Sequence, residues 1–314
     1  MRYAIGIDIG GTKTASGIVN ENGDLIQKEV VPSDTSDKES MFSQVATCVE
    51  KLMNHSSIPV EEIFGIGAGV PGKVDRENGI AVFQNNLPWK NFPFVERLQD
   101  IFGFERMVID NDVYMAAFAE WKKADLSAEE FFVYITVSTG ISSSIIQGGE
   151  FLRGAGFAGE IGLIPVPLEK TGWERLEKVA AGPALTKRAQ KLYQSDRVTA
   201  KDVFTAFYRG DAVAEKLVDD VAASIAHGVY TINSLIDPHK LVFGGSVITH
   251  NPVLLKIIRQ KLTPYAIEEQ MHILNAMEVS QLGSDQGVIG AGLSVFKQWD
   301  TLDKQKLVTG EEQK

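Results

Sequence analysis

An aspartate and a glycine-rich turn near the start of the chain could hold a phosphate group and a metal ion. Asp8 ends a predicted strand, and the turn that follows contains Gly10, Gly11, Thr12 and Lys13. Glycine lets backbone N–H groups approach a phosphate without a Cβ atom in the way. A carboxylate beside such a turn can hold Mg²⁺ through water. An ordinary hairpin with a surface aspartate fits this segment alone equally well.

Two later turns could carry out the same chemistry. Thr139 and Gly140 lie between two apolar strands, and Gly244 and Gly245 follow another strand. Each turn alone has a structural explanation. Three such turns at strand ends together predict a nucleotide site, because each can offer backbone N–H groups to phosphate.

A fourth glycine run, residues 67–72, matches the pattern G-x-G-x-x-G. That dinucleotide fingerprint needs a helix to begin at once, so that its first N–H groups face the pyrophosphate. Pro71 and Gly72 break the chain here instead, and a polar turn follows. We therefore reject a dinucleotide-binding site at this run.

The composition limits the class of protein. A length of 314 residues favours two domains, and the hydrophobic fraction of 44% is ordinary for a globular protein. The net charge of −10 argues against a nucleic-acid partner, and no apolar run is long enough to span a membrane. No signal-peptide pattern is present, so a cytoplasmic location is expected. Cys48 is the single cysteine, and its apolar helical stripe predicts a packing role.

The hydrophobic pattern predicts an α/β protein of two related lobes with a ligand cleft between them. We predict a smaller N-terminal α/β domain over residues 1–118 and a larger C-terminal α/β domain over residues 119–286. A helix at about residues 287–300 is expected to pack back on the first domain. Ser36 and Glu39 predict a capping box at the start of the first helix.

Taken in order, the motifs resemble the ROK family of repressors, open reading frames and sugar kinases. The resemblance covers nearly the whole chain, through IGIDIGGTKTASGIVNENGDLI, GIGAGVPG, NNLPW, VIDNDVYMAAFAEW, ITVSTGISSSII, GAGFAGEIGLIPV, LEKVAAGPAL and LVFGGSVI. It implies the two-lobed ribonuclease H-like fold of the actin-like ATPases. No helix-turn-helix extension of the family repressors precedes the first strand, which favours the kinase branch. A homodimer is also implied at the level of the family.

The resemblance implies that the chain uses ATP and Mg²⁺ to phosphorylate a hexose or hexose derivative at its 6-hydroxyl. Asp112 would be the base that accepts the hydroxyl proton. Asp110 leaves a second assignment open, and helix capping is the structural alternative for Asp112. The implied sugar ligands are Asn86, Asn111, Asp112, Glu160 and Glu177. Asp8 would hold Mg²⁺ through water, and the nucleotide would contact Gly10, Gly11, Thr12, Lys13, Thr139, Gly140, Gly244 and Gly245.

The chain departs from the family where most members bind a structural zinc ion. Leu163 replaces the family's zinc-binding His, and residues 165–175 contain neither cysteine nor His, so no zinc site can be built there. The family's His also contacts the sugar. The pocket should therefore have a different shape, with Trp173 either stacking on a sugar or packing in its loop. These changes move the expected substrate from glucose toward a β-glucoside or an N-acetylated amino sugar.

The second phosphate motif departs as well. Ser142, Ser143 and Ser144 lie in a segment where the family prefers Gly-Thr-Gly-x-Gly-x-Gly. Their hydroxyls can donate to phosphate, but their backbone is more restricted than that of glycine, so weaker nucleotide binding is expected. The alternative to a kinase is a sugar-binding regulatory protein of the same family with weak or no catalysis. The missing His and glycines favour it, whereas the intact aspartates and glutamates oppose it.

Overall fold

The computed structural model describes residues 1–84, 86–168 and 172–309. These residues form two compact units. The first unit contains Met1–Lys123 and the residues from Ser284 onward, and the second contains Ala124–Gly283. The predicted domain boundary at residue 118 falls inside a continuous helix, Asp112–Ala124.

The first unit is built on a mixed sheet. Its strands are β1 (Tyr3–Ile9), β2 (Lys13–Asn20), β3 (Leu25–Pro32), β4 (Ile63–Val70), β5 (Lys73–Asp75), β6 (Ile80–Phe83), β7 (Lys90–Phe92) and β8 (Met107–Asn111). The main sheet has the order β3-β2-β1-β4-β8, and β5, β6 and β7 form a smaller sheet. The strands β1, β4 and β8 are parallel, whereas β2 is antiparallel to both of its neighbours.

The register of the parallel strands brings three positions side by side. Asp8 is the partner of Gly69, and Gly69 is the partner of Asp110. Carboxyl ends of parallel strands meet at one edge of the sheet, which is where such folds bind ligands. Asp112 follows Asp110 by two residues, so it begins its helix at the edge where Asp8 lies.

Before the chain passes into the second unit, the first unit contains the helices α1 (Lys38–His55), α2 (Phe94–Phe102) and α3 (Asp112–Ala124). The predicted capping box was wrong. The helix α1 begins after Asp37, whose carboxylate accepts the N–H groups of Glu39 and Ser40. The Ser36 N–H instead donates to Asp34.

The second unit repeats the strand pattern of the first. Its strands are β9 (Phe131–Val137), β10 (Ile141–Gln147), β11 (Glu150–Phe151), β12 (Pro165–Leu168), β13 (Gly172–Arg175), β14 (Lys240–Gly244) and β15 (Met277–Val279). The main sheet has the order β11-β10-β9-β14-β15, and β12 pairs with β13. The strand β9 is antiparallel to β10 and parallel to β14, as β1 is to β2 and β4.

The remaining helices are α4 (Leu176–Ala180), α5 (Gly182–Tyr193), α6 (Ala200–Phe207), α7 (Ala212–Ile236), α8 (Ser246–Thr249), α9 (Val253–Leu262), α10 (His272–Ala276) and α11 (Gln286–Thr309). The long helix α7 fills the core of the second unit with fully buried side chains such as Val218 and Val221. No helix among the described residues is both long enough and apolar enough to cross a bilayer.

The last helix, α11, packs directly on the main sheet of the first unit. A Cβ atom at Gly6 would lie 1.9 Å from the carbonyl oxygen of Val288, and one at Gly67 would lie 1.8 Å from that of Ala291. Real Cβ contacts are never so short, so both positions require glycine. The G-x-G-x-x-G match therefore contains a glycine that serves helix packing.

Candidate active site

Asp8 is a half-buried carboxylate at the end of β1. Burial raises the pKa of Asp8 above its ordinary value, and the positive charges of Lys13 and Lys28 oppose that rise. Lys28 is itself paired with Asp285, immediately before α11. A desolvated carboxylate beside a glycine turn suits a cation, because the cation offsets the cost of burying the charge.

Gly287 lies in the first turn of α11. Because it has no side chain, the Asp8 carboxylate can pack directly against it. A Cβ atom at Gly287 would lie 2.6 Å from the Asp8 Cγ atom and 2.8 Å from its Oδ2 atom. The motif pattern did not indicate this residue, because it lies far from Asp8 in the sequence. Its glycine type next to the predicted helix start was the available signal.

The turn after β1 is held by hydrogen bonds on both sides. The Gly10 N–H donates to the Lys13 carbonyl at 3.0 Å, and the Ser33 hydroxyl donates to the Gly10 carbonyl at 2.6 Å. The Ser33 N–H also donates to the Thr12 carbonyl at 3.0 Å. Ser33 was not a predicted site residue, and its role appears only when β3 lies beside the turn.

Asn86, one of the implied sugar ligands, lies beside this turn. A Cβ atom at Gly11 would lie 3.2 Å from the carbonyl oxygen and 3.4 Å from the Nδ2 atom of Asn86. Asn86 is exposed, and Asn85 lies outside the described residues. The structure thus brings Asn86 to the first phosphate turn within the first unit.

The structure separates the two candidate bases. Asp110 is buried, pairs with Arg76 at 3.1 Å and accepts the Asn111 N–H at 2.8 Å. Asp112 is half-buried and begins α3, where its Oδ1 atom accepts the Val113 N–H at 3.0 Å. Asp110 is therefore held by an ion pair and a backbone hydrogen bond, whereas Asp112 caps the start of α3.

Asn111 links the strand edge to the Pro71–Gly72 turn. Its Nδ2 atom donates to the Gly72 carbonyl at 3.0 Å, and its Oδ1 atom accepts the Val113 N–H at 2.9 Å. Asn111 therefore caps the helix. An amide has two donors and an oxygen with two lone pairs, so this geometry leaves capacity for a sugar hydroxyl.

In the second unit the two predicted sugar carboxylates lie near each other. The negative charge of Glu177 acts on Glu160, and a Cβ atom at Gly140 would lie 3.8 Å from the Glu177 Oε2 atom. Burial raises the pKa of Glu160, a hydrogen bond with Ser142 opposes the rise, and Glu177 adds to it. The structure thus brings Glu160, Glu177 and Gly140 together.

The raised pKa of Glu160 predicts a pH-dependent loss of stability. The folded chain holds the Glu160 proton more tightly than the unfolded chain, so unfolding free energy falls as pH rises from 4.5, the ordinary glutamate value, to the folded pKa. Glu160→Gln should therefore reduce that fall. Urea unfolding between about pH 4.5 and pH 7.5 measures it, with the exposed Glu268→Gln as control. An identical pH profile for wild type and Glu160→Gln would contradict the burial of this charge.

The serines of the second phosphate motif are buried or hydrogen-bonded within the second unit. Ser143 is buried, and its hydroxyl donates to the Gly159 carbonyl at 2.5 Å. Ser144 is fully buried, and Ser142 bonds Glu160. Alternation along β10 turns neighbouring side chains to opposite faces, so a run of serines cannot all reach one ligand.

Gly244 and Gly245 have packing reasons to be glycine. A Cβ atom at Gly244 would lie 2.0 Å from the Tyr134 hydroxyl oxygen. Gly245 has a φ of +84°, and a Cβ atom there would lie 2.5 Å from the Val137 carbonyl oxygen. The adenosine contacts implied for this pair remain a prediction.

In the segment where the sequence predicts no zinc loop, β12 and β13 pair in antiparallel fashion. Trp173 is 66% exposed there and Leu163 is 42% exposed, so Trp173 does not fill a core. Among the described residues, no group of three or more His, Cys, Asp or Glu side chains could hold a metal ion. The absence of zinc remains a prediction from the residue types.

A cleft of about 510 Å³ opens in the second unit beside the turn that contains Thr139 and Gly140, the second phosphate turn. Thr139 and Glu177 line it, so it contains one predicted nucleotide ligand and one predicted sugar ligand. The cleft thus lies within the second unit, beside predicted residues of both kinds.

Known proteins resemble this chain in sequence and in fold. The sequence profile of the ROK family matches residues 4–298. A glucokinase of Halalkalibacterium halodurans is 30% identical, over 96% of this chain and 98% of its own length. The ROK hexokinase of Thermus thermophilus superposes with a TM-score of 0.77 at 29% identity, covering 95% of this chain and 99% of that one. A ROK glucokinase of Streptomyces griseus, solved with glucose and AMPPNP, has a TM-score of 0.77 at 26% identity, covering 92% and 97%.

The fold and these relatives define an ATP-dependent sugar kinase with the actin-like ATPase fold. The chain belongs to the ROK family. The family and fold implied by the sequence motifs are therefore confirmed.

Proposed function

We propose that this kinase transfers the terminal phosphoryl group of ATP to the 6-hydroxyl of a hexose or hexose derivative, with Asp112 as the base. The observation that carries the proposal is the strand edge where Asp8 and Asp112 lie, because phosphoryl transfer needs charge neutralisation and a base near the attacking hydroxyl. The half-buried carboxylate of Asp112 accepts the hydroxyl proton as the oxygen–phosphorus bond forms and the bond to ADP breaks.

The other proposed contacts divide by chemistry. Asp8 holds hydrated Mg²⁺, and the turn of Gly10 and Gly11 receives phosphate, since glycine lets backbone N–H groups approach it. Asn86 and Asn111 offer amides to sugar hydroxyls, while Glu160 and Glu177 offer acceptor oxygens. Thr12, Lys13, Thr139, Gly140, Gly244 and Gly245 complete the proposed nucleotide contacts.

The acceptor is proposed to be a hexose, as the names of the matched kinases indicate. Exposed Trp173 and Leu163, in place of a zinc loop and its His, favour a wider acceptor range that includes β-glucosides or N-acetylated amino sugars. An exposed indole ring can stack on a pyranose face.

A coupled ADP-release assay on a panel of hexoses and glycosides with Mg²⁺–ATP tests this function. We expect turnover on at least one sugar, with the product phosphate on the 6-oxygen by phosphorus–proton NMR correlation. Sugar binding by calorimetry without turnover on any substrate would support the second candidate instead. That candidate is a sugar-binding regulatory protein, which Leu163 and the buried serines favour.

A further inference from the structure

The cleft in the second unit has more basic than acidic side chains in its lining, although the chain carries a net charge of −10. Its charged lining consists of three basic and two acidic side chains: Arg175, Lys178, Lys187, Glu174 and Glu177. Thr139 adds a hydroxyl from the second phosphate turn. A local excess of positive charge in an acidic protein favours an anionic ligand.

The two lysines of the cleft, Lys178 and Lys187, form no ion pair with its carboxylates among the described residues. Within residues 1–84, 86–168 and 172–309, no ion pair involves Lys178 or Lys187. Arg188, the next residue on α5, is by contrast paired with Asp220 at 2.5 Å. The lysines of the cleft therefore keep their donors available for a ligand.

Backbone hydrogen bonds connect the helix that lines the cleft to the second phosphate turn. The Gly182 N–H donates to the Ser138 carbonyl at 2.8 Å, and the Ser138 N–H donates to the Gly140 carbonyl at 2.9 Å. These bonds connect the start of α5 to the turn that carries Thr139. Lys187 lies four residues after Pro183, so both lie on the same face of α5.

The serines of the second phosphate motif cannot supply the missing donors. Ser143 and Ser144 are buried, and Ser142 is engaged with Glu160. Of the side chains near the second phosphate turn, Thr139, Arg175 and the cleft lysines remain able to contact phosphate.

We propose that this cleft binds the polyphosphate chain of the phosphoryl donor, with Lys178 and Lys187 as its phosphate-binding residues. Affinity for the donor then comes largely from the charge of its phosphate chain. Inorganic tripolyphosphate, which has no nucleoside, binds the same cleft and competes with ATP. This inference rests on the proposed function and names the residues that select the donor.

Calorimetric titration of the full chain with inorganic tripolyphosphate tests the proposal without any turnover. We expect the double variant Lys178→Met/Lys187→Met to bind about tenfold more weakly, the loss expected from two solvent-exposed ion pairs, and with a weaker dependence on salt. Lys191→Met is the matched control, since Lys191 is exposed on the same helix outside the cleft lining. It should bind like wild type.

A parallel assay of sugar phosphorylation separates this proposal from the proposed function. The double variant should raise the KM for ATP about tenfold and leave the KM for sugar unchanged. Absence of tripolyphosphate binding to wild type, or equal weakening by Lys191→Met, would overturn the cleft assignment even if sugar is phosphorylated. Lysine-dependent tripolyphosphate binding by a chain that phosphorylates no sugar would uphold the cleft and refute the kinase function.

Discussion

Asp112→Asn is expected to lower kcat for sugar phosphorylation by about 10²- to 10⁴-fold, the usual contribution of a general base. Asparagine keeps the shape of the side chain and an oxygen that can accept the Val113 N–H, so the start of α3 should remain intact. It cannot accept a proton from the hydroxyl. The KM for sugar should change much less than kcat, because the lost interaction belongs to the transition state.

Asp110→Asn is the matched control for this result. Asp110 is buried and paired with Arg76, so its loss should lower the free energy of unfolding by about 1–3 kcal/mol. Its kcat should stay within about tenfold of wild type, an effect much smaller than that of losing a general base. Steady-state kinetics and urea unfolding of both variants give the two readouts. A large kcat loss in Asp110→Asn with an active Asp112→Asn would transfer the base assignment to Asp110.

Gly287→Ala is expected to lower kcat/KM by about 10²-fold, the loss typical of a catalytic group displaced by about 1 Å. The new Cβ atom would lie 2.6 Å from the Asp8 Cγ atom, so either the carboxylate or the first turn of α11 must shift. Displacement of Asp8 should also raise the Mg²⁺ concentration needed for half-maximal activity. Kinetics over a range of Mg²⁺ concentrations measures both effects.

A double-mutant cycle shows whether Gly287 acts through Asp8. Asp8→Asn/Gly287→Ala should be no less active than Asp8→Asn alone, because the group that Gly287 positions is already lost. Ser284→Ala, an exposed change two residues before the start of α11, should behave like wild type. If the losses of Asp8→Asn and Gly287→Ala simply add, Gly287 acts on the fold rather than on Asp8.

The order of the motifs predicted the family and several strands and turns, because each motif is a local pattern of residue types. The alternation of Ile5, Ile7 and Ile9 predicted a buried strand, and the glycines after it predicted a turn. The boundary of α1 was less predictable, since Ser36, Asp37 and Asp34 are all acceptable capping residues. Local propensity does not decide among neighbours that compete for the same N–H groups.

The sequence by itself determined the family, the order of the phosphate turns, and the absence of cysteine and His from the segment after Leu163, because these depend on residue types and their order. Only the tertiary structure decided that Asp110 pairs with Arg76, that Gly287 borders Asp8, and that Lys187 lines the cleft with Thr139. It also decided that the serines of β10 are buried or paired. These are contacts between residues distant in the chain, and packing of helices and strands creates them.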